Sequence, residues 1–206
     1  MRNDSSQGKS YLILKCRAER IPLRDNSIQL ALATPPYLGA PGVRQQDWPT
    51  RDKRRYDACL ASFLREAGRI LRPGGHLLLH TNLLPVKRVK GARRVVFSVI
   101  RKPAKASGRN VRHVGTETLR TRFVRVKGIN WVALPIGLYR ELLCRYSQPG
   151  DLIADIFSGS GNVAVAALLL SRRPVLLDLH HQQTVRKRLD NALRRARLRN
   201  FRRNRN

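Results

Sequence analysis

The most restrictive feature of the sequence is a series of short apolar segments that alternate with helical patterns. The run Ile28–Ala33 is almost wholly apolar and stops at two prolines, which exclude both a helix and an internal strand. Residues 56–71 then repeat apolar side chains at helical spacing, and an Arg-Pro-Gly-Gly sequence at 72–75 separates them from a strand at 76–80. Buried strands that alternate with helices predict an α/β fold around a mostly parallel sheet.

The C-terminal half continues this alternation. The pattern predicts a first strand at 11–16, a helix at 135–146, a strand at 152–157, a helix at 163–170 and a strand at 174–177. No internal repeat interrupts the order. The sequence therefore predicts a single domain over residues 1–206.

Composition narrows the class of partner. Lys and Arg number 42 and Asp and Glu number 13, so the formal net charge is +29. Hydrophobic residues make up 42% of the chain, which excludes a purely disordered basic tail. A folded core under such a positive surface predicts a polyanionic partner, of which nucleic acid is the first candidate and a membrane surface the second. No apolar run approaches the ~18 residues that a membrane-spanning helix needs. The three cysteines form neither a metal pattern nor a disulfide framework, so we expect a cytoplasmic location and no metal site.

Much of the charge lies in two segments, 85–127 and 182–206. Apolar runs at 95–100 and 123–126 predict that the first is a basic insertion built on a β-ribbon, and the second is predicted to be a basic helix and tail. Such cations bind phosphates without reading sequence, so double-stranded DNA is the expected partner and RNA is not excluded. The candidate nucleic-acid-binding residues are Arg93, Arg94, Arg101, Lys102, Lys105, Arg109, Arg112, Arg202 and Arg203.

A glycine-containing loop follows the predicted strand 152–157 and begins with the sequence Asp155-Ile156-Phe157-Ser158-Gly159-Ser160-Gly161. Between a strand and a helix, such a loop lets a ligand approach the backbone and the free N–H groups of the helix. Asp178 ends the next strand, where a carboxylate can accept hydrogen bonds from ribose hydroxyls. Sites for NAD use the same logic, and a plain packing loop has the same pattern.

A second candidate site is Thr34-Pro35-Pro36-Tyr37, at the carboxyl end of the strand Ile28–Ala33. Paired prolines make a rigid loop with free carbonyls, the threonine adds a hydroxyl, and the tyrosine offers a ring on which a base can stack. Trp48 follows in the same loop and is a candidate contact to the base or the nucleic acid. A buried turn at the end of a strand would also explain the tetrapeptide.

These two motifs carry a resemblance to a known family. Thr34-Pro35-Pro36-Tyr37 is similar to the (D/N/S)PPY motif of the S-adenosylmethionine-dependent amino-methyltransferases of DNA, and the loop that begins at Asp155 resembles their DPFxGSG motif. Residues 69–75 resemble the family's RxLKPGG stretch, and Leu134-Pro135 fills the place of the segment before the cofactor loop. The motif order resembles the β group, in which the intervening segment recognises the target. The resemblance covers residues 11–195 and implies a Rossmann-like methyltransferase fold with helices on both faces of the sheet.

The resemblance implies transfer of a methyl group from S-adenosylmethionine to a base amine, cytosine N4 or adenine N6, after the base has flipped out of the duplex. It implies that Tyr37 stacks on the base and that Thr34 and the Pro35 carbonyl hold the amine, in a loop that Pro36 keeps rigid. The hydroxyl of Thr34 favours cytosine N4 over adenine N6. The implied cofactor-binding residues are Asp155, Phe157, Ser158, Gly159, Ser160, Gly161, Asp178 and Pro135.

Four positions depart from the family's pattern. Ile156 replaces a proline, Asn162 replaces a common threonine, and Thr34 replaces the usual Asp, Asn or Ser. Gln29 lies where the strand before the tetrapeptide often has an Asp. A catalytically inactive nucleic-acid-binding protein on the same fold is therefore an alternative. An NAD-dependent enzyme is a further alternative, but it leaves the proline-rich tetrapeptide unexplained.

Overall fold

The computed structural model describes residues 10–80, 88–89, 92–104, 109–125, 132–180 and 182–203. The helices are α1 (Lys53–Ile70), α2 (Ile136–Tyr146), α3 (Asn162–Leu169) and α4 (Gln182–Arg203). The strands are β1 (Leu12–Lys15), β2 (Ile28–Ala33), β3 (Leu71–Leu79), β4 (Arg88–Val89), β5 (Ala92–Arg101), β6 (Arg112–Thr121), β7 (Val124–Arg125), β8 (Val132–Ala133), β9 (Leu152–Ile156) and β10 (Arg173–Asp178).

One mixed sheet organises the molecule. Its order is β1-β10-β9-β2-β3-β5-β4, with β6 paired to the free side of β5, while β7 and β8 form a separate two-stranded pair. The first five strands of this order run parallel, and β5 is antiparallel to β3. The predicted α/β fold with a mostly parallel sheet is confirmed, and the N-terminal and C-terminal halves of the chain meet where β2 pairs with β9.

Helices cover both faces of the sheet. Successive residues of β2 alternate between them: Ala31 and Ala33 pack with α1, whereas Leu30 and Leu32 pack with α2 and α3. A third cluster joins α3 and α4 through Val185 and neighbouring apolar residues. Near-continuous apolar strands are expected where both faces are buried.

Helix α1 begins three residues before the predicted start at 56. Asp52 is its N-cap, and the Asp52 carboxylate accepts a hydrogen bond from the Arg55 backbone N–H at 3.0 Å. The helix passes directly into β3 at Leu71, so the Arg-Pro-Gly-Gly sequence does not separate the two elements as predicted. It lies within β3 as an irregularity, because Gly74 adopts a φ of +80° and its N–H donates to the Lys102 carbonyl.

The basic segment 85–127 contributes strands to the central sheet rather than a separate ribbon. β5 pairs with β3 as well as β6, and Phe97 on β5 is fully buried. The strand β6 was not predicted, because its sequence is largely polar and only Leu119 is buried. Within 123–126 only Val124–Arg125 is a strand, and it pairs with β8. None of the described helices combines the length and apolar character that crossing a membrane requires.

Candidate active site

The two sequence motifs lie side by side at the carboxyl edge of the sheet. β2 and β9 are parallel neighbours in which Leu32 is opposite Asp155 and Ala33 is opposite Ile156. Both strands therefore end together, so that Thr34 and Phe157 start adjacent loops. Ligands of open α/β sheets bind at such carboxyl ends. Ile156 takes part in this pairing through its backbone.

The proline-rich tetrapeptide presents its polar and aromatic groups outward. Pro35 is buried, whereas Thr34 is exposed and Tyr37 is 39% exposed. The Tyr37 carbonyl accepts a hydrogen bond from the Ala40 N–H at 2.9 Å, which closes the turn after the prolines. The Tyr37 ring is thus available to a flat ligand.

The glycine-containing loop is tightly turned. Phe157 has a left-handed φ of +62°, a strained conformation for a bulky residue, and its N–H donates to the Leu177 carbonyl at 3.0 Å. Gly161 has a φ of +70°, and a Cβ there would lie 2.7 Å from the Val185 side chain. Only glycine allows α3 to start so close to α4.

Asp178 connects this loop with the end of β10. Its carboxylate accepts hydrogen bonds from the Gly159 N–H at 2.8 Å and the His180 N–H at 2.9 Å, through different oxygens. Each carboxylate oxygen has a second lone pair, so the group retains acceptors for ribose hydroxyls. The carboxylate thereby shapes the loop as well as offering a contact.

Asp155 is a buried acid without a counter-charge. It is 4% exposed, and its Oδ2 has no hydrogen-bond partner among the described residues. Burial raises the pKa of Asp155 well above its usual value, and the nearby charge of Asp178 raises it further, against a lowering by the Ala164 N–H. Since its surroundings disfavour the charged form of Asp155, a cationic ligand would be favoured beside it because that ligand would stabilise the ionised carboxylate.

Tyr139 on α2 links the two motifs. Its side chain is buried and lies close to both the Thr34 side chain and Asp155. Burial raises the pKa of Tyr139, Asp155 raises it further, and the nearby Thr34 side chain opposes the shift. Sequence analysis missed this residue; the only signal was a polar hydroxyl between the apolar positions Leu138 and Leu142.

Comparison with known proteins agrees with this geometry. Residues 132–185 match the model of the family described as DNA methylase, a segment that includes α2, the glycine-containing loop and Asp178. No protein with a curated description matches the chain.

Solved structures extend the likeness to most of the chain. A protein from Thermus thermophilus, assigned as a DNA modification methylase, is 16% identical over 88% of this chain and 95% of that chain, with a TM-score of 0.60. The same protein solved with S-adenosyl-L-methionine gives 17% identity, the same coverage of 88% and 95%, and a TM-score of 0.59. The cytosine-N4-specific PvuII DNA methyltransferase is 13% identical over 83% of this chain and 84% of that chain, with a TM-score of 0.54.

The chain has the fold of the S-adenosylmethionine-dependent methyltransferases. The resemblance drawn from the motifs is confirmed.

Within this methyltransferase fold, Trp48 has a structural place and not the predicted contact with a base or nucleic acid. It is 2% exposed, and its ring meets the rings of Phe157 at 5.0 Å and Tyr56 at 6.0 Å, edge to face. Phe157 also contacts Phe63 at 5.5 Å. This aromatic cluster supports the strained start of the glycine-containing loop from the α1 side.

A polar clamp that sequence analysis also missed holds the loop after the tetrapeptide against the end of β10. The Asp47 carboxylate accepts hydrogen bonds from Arg44 at 2.8 Å and from His180 at 3.0 Å. Since His180 also bonds Asp178 through its backbone, the clamp ties the loop 38–52 to the candidate cofactor site.

Asn162, which replaces the family's common threonine, joins three elements. Its amide donates to the Leu134 carbonyl at 2.8 Å and accepts from Arg188 at 2.7 Å. The start of α2, where Pro135 lies, is thereby held next to the start of α3. This arrangement places Pro135 beside the glycine-containing loop.

The predicted nucleic-acid-binding residues divide into two groups. Arg101, Arg109 and Arg112 are exposed, but Lys102 is 1% exposed and is corrected from a phosphate contact to a structural residue. The Lys102 ammonium donates to the Asn26 amide oxygen at 2.7 Å and the Gly68 carbonyl at 3.0 Å, which anchors the end of β5 to α1. Lys105 and the side chains of Arg93, Arg94, Arg202 and Arg203 lie outside the described residues.

Among the described residues, no cluster of three or more His, Cys, Asp or Glu side chains could hold a metal ion. The three cysteines are free, and burial raises the pKa of Cys16 to about 11, with a further contribution from Asp178.

Proposed function

We propose that the protein transfers a methyl group from S-adenosylmethionine to an exocyclic amine of a DNA base. The observation that carries this proposal is the pairing of β2 with β9, because it brings the tetrapeptide that begins at Thr34 beside the loop that begins at Asp155. Neither motif is as specific alone as the two are at one edge of the sheet.

The residues present fit the cofactor. S-adenosylmethionine carries an ammonium and a sulfonium, and Asp155 is a buried carboxylate without a counter-charge in the described chain. Asp178 would accept from the ribose hydroxyls, while Phe157, Pro135 and the turn 158–161 would surround the methionine end. When bound, the cofactor supplies a methyl carbon activated by the positive sulfur.

Thr34, Pro35 and Tyr37 would position the target base. Tyr37 stacks on the flipped base through its exposed ring, and the Pro35 carbonyl accepts a hydrogen bond from the amine. The Thr34 hydroxyl, which lies close to the Tyr139 side chain, accepts a second hydrogen bond from the amine. Both amine hydrogens are then held, and the nitrogen lone pair is directed toward the cofactor loop. Correct orientation of the two reactants supplies most of the rate enhancement.

Cytosine N4 is the favoured target amine in this proposal, and adenine N6 is the alternative. Support comes from the hydroxyl residue Thr34 before the prolines and from the similarity to a cytosine-N4-specific methyltransferase. Double-stranded DNA is the proposed substrate, although the exposed cations bind RNA phosphates equally well. The cytoplasm, where prokaryotic DNA lies, is the corresponding location.

The test is nucleoside mass spectrometry of unmethylated DNA after incubation with the purified protein and S-adenosylmethionine. We expect N4-methylcytosine. Thr34→Ala and Tyr37→Ala should lower turnover at least about 100-fold with DNA affinity within about two-fold, because they remove orientation and not phosphate contacts. Val114→Ala, at an exposed position on β6, is the matched control and should keep full turnover.

The outcomes separate the alternatives. N6-methyladenine in place of N4-methylcytosine would overturn the choice of base and keep the reaction. If the protein binds DNA tightly but no methylated base forms, while a control methyltransferase is active in the same assay, the chain is better described as an inactive nucleic-acid-binding protein. RNA would then be tested as the substrate.

A further inference from the structure

A cleft that none of the proposed steps uses lies at the starts of α2 and α3. Its volume is about 720 Å³, and it is bounded by β7, by the starts of α2 and α3, and by one side of α4. Pro135 is the one residue that it shares with the candidate cofactor-binding set. Neither the tetrapeptide nor the turn 155–161 lines it, but Asn162, which directly follows that turn, does, so the cleft adjoins the candidate cofactor site.

The cleft is lined by cations without acids. Arg125 projects from β7, Lys187 and Arg188 project from α4, and no Asp or Glu is among the described lining residues. Arg125 and Lys187 are exposed. A concave surface with three positive charges of this kind concentrates anions.

Arg188 gives the strongest indication of a missing ligand. One guanidinium nitrogen, Nη2, donates to Asn162 at 2.7 Å, but the other, Nη1, is buried and has no acceptor among the described residues. Burial lowers the pKa of Arg188, which reports a charge withdrawn from water without compensation.

Other enclosed arginines of the chain are satisfied. Arg69 has the carboxylates of Glu66 and Asp25, and Arg172 donates to backbone carbonyls including that of Ser147. Arg188 has only the neutral Asn162 as a side-chain partner among the described residues, so its positive charge at the cleft wall favours an anion in the cleft.

The start of α2 at the cleft adds partial positive charge. α2 begins at Pro135, which makes no side-chain hydrogen bond to the first turn. The free N–H groups of a first turn favour a negative ligand. This charge adds to that of the three cationic side chains.

We propose that this cleft binds a phosphate group, and that the phosphate belongs to the backbone of the nucleic acid. Arg125, Lys187 and Arg188 are the binding residues. Arg194 lies two turns after Lys187 on the same side of α4 and is also exposed, so an extended polyanion has a further contact there that a small ligand would leave unused. The inference depends on the proposed function only in taking nucleic acid as the ligand.

The test measures DNA affinity against salt concentration, with no cofactor present. The double variant Lys187→Gln/Arg188→Gln is compared with Arg24→Gln/Arg65→Gln, which removes the same charge at exposed positions before β2 and on α1. Each lost phosphate contact reduces the slope of log K against log salt by about 0.9, so we expect the cleft variant to lose about one to two units of slope and about ten-fold in affinity. The control pair should change affinity less than about three-fold.

Calorimetry with inorganic phosphate and with adenosine monophosphate forms the second arm. One outcome would show that the phosphate does not come from nucleic acid. In that outcome the original chain binds adenosine monophosphate, the cleft variant does not, and the two have the same slope of log K against log salt for DNA. Equal slopes for the two double variants and no nucleotide binding would overturn the phosphate site altogether.

The single variant Lys187→Gln controls for loss of the Arg188–Asn162 hydrogen bond, because Lys187 is exposed and is not one of the two residues that form it. Its slope should change by about half as much as that of the double variant. Because these titrations involve no turnover, a chain without methyltransferase activity still gives a decisive result. The inference and the proposed function can therefore fail separately.

Discussion

At the scale of single residues, the candidate site depends on hydroxyl and carboxyl groups with few partners. Thr34 is exposed at the end of β2, and its side chain lies close to that of Tyr139. Asp155 lies close to Tyr139, and its Oδ2 has no hydrogen-bond partner in the described part of the chain. Small changes at these positions should alter rate or cofactor affinity more than they alter the fold.

Tyr139→Phe tests whether Tyr139 orients the Thr34 hydroxyl. The variant keeps the buried ring and removes the hydroxyl that lies close to Thr34. If that hydroxyl orients Thr34 through a neutral hydrogen bond during turnover, worth about 0.5–1.5 kcal/mol, we expect kcat to fall up to about ten-fold with KM for DNA and cofactor unchanged. Tyr146→Phe on the same helix is the matched control, because its hydroxyl bonds Glu117 at 2.6 Å. Steady-state kinetics on both variants gives the comparison, and a Tyr139→Phe enzyme with normal kcat would show that Thr34 needs no such support.

At the scale of elements, β5 shows that one segment can serve both the core and the basic surface. Phe97 is buried in the sheet, Arg101 is exposed at the end of the strand, and Lys102 turns inward to α1. Deleting the basic segment 85–127 would therefore remove sheet strands as well as charge.

Substitutions of two neighbouring cations at the end of β5 should affect different properties, the stability of the fold for Lys102 and DNA affinity for Arg101. Lys102→Met leaves the Asn26 and Gly68 oxygens without their donor, so we expect a loss of about 1–3 kcal/mol in the free energy of unfolding and DNA affinity close to that of the original chain. Arg101→Met should change stability by less than about 0.5 kcal/mol and weaken DNA binding. Urea unfolding and DNA titration measure the two effects, and a stable Lys102→Met protein with weakened binding would contradict the structural role.

At the scale of the whole molecule, a net charge of +29 acts against the compact state. Positive segments lie on β5, β6 and α4, around a core formed by three apolar clusters. The same repulsion that disfavours folding favours association with a polyanion.

Salt should therefore stabilise the free protein and weaken its complex. Raising sodium chloride from about 50 to about 500 mM shortens the Debye length to under about 5 Å, and we expect the thermal midpoint of the free chain to rise by several degrees. DNA added at low salt should raise the midpoint further, because it binds the folded chain. Thermal unfolding followed by circular dichroism measures both effects, and a midpoint that falls with sodium chloride would show that self-repulsion is not a major cost.

Local sequence was a good guide wherever a few residues decide the outcome. Ile28–Ala33 is the strand that was predicted, because an unbroken apolar run followed by two prolines leaves no other regular structure. The Arg-Pro-Gly-Gly sequence misled because glycine suits a bulge inside a strand as well as a turn. The polar strand β6 was missed because its partner β5, rather than its own sequence, makes it a strand.

The sequence by itself determined the alternation of strands and helices, the two loop motifs and the excess of positive charge, because each depends on residues that are neighbours in the chain. Tertiary structure alone decided that β2 pairs with β9, that Trp48 and Lys102 are buried, and that Arg188 faces an open cleft without an acid. The physical reason is that burial and pairing depend on which distant elements meet. Charge and periodicity describe a side chain without specifying the partner that it will contact.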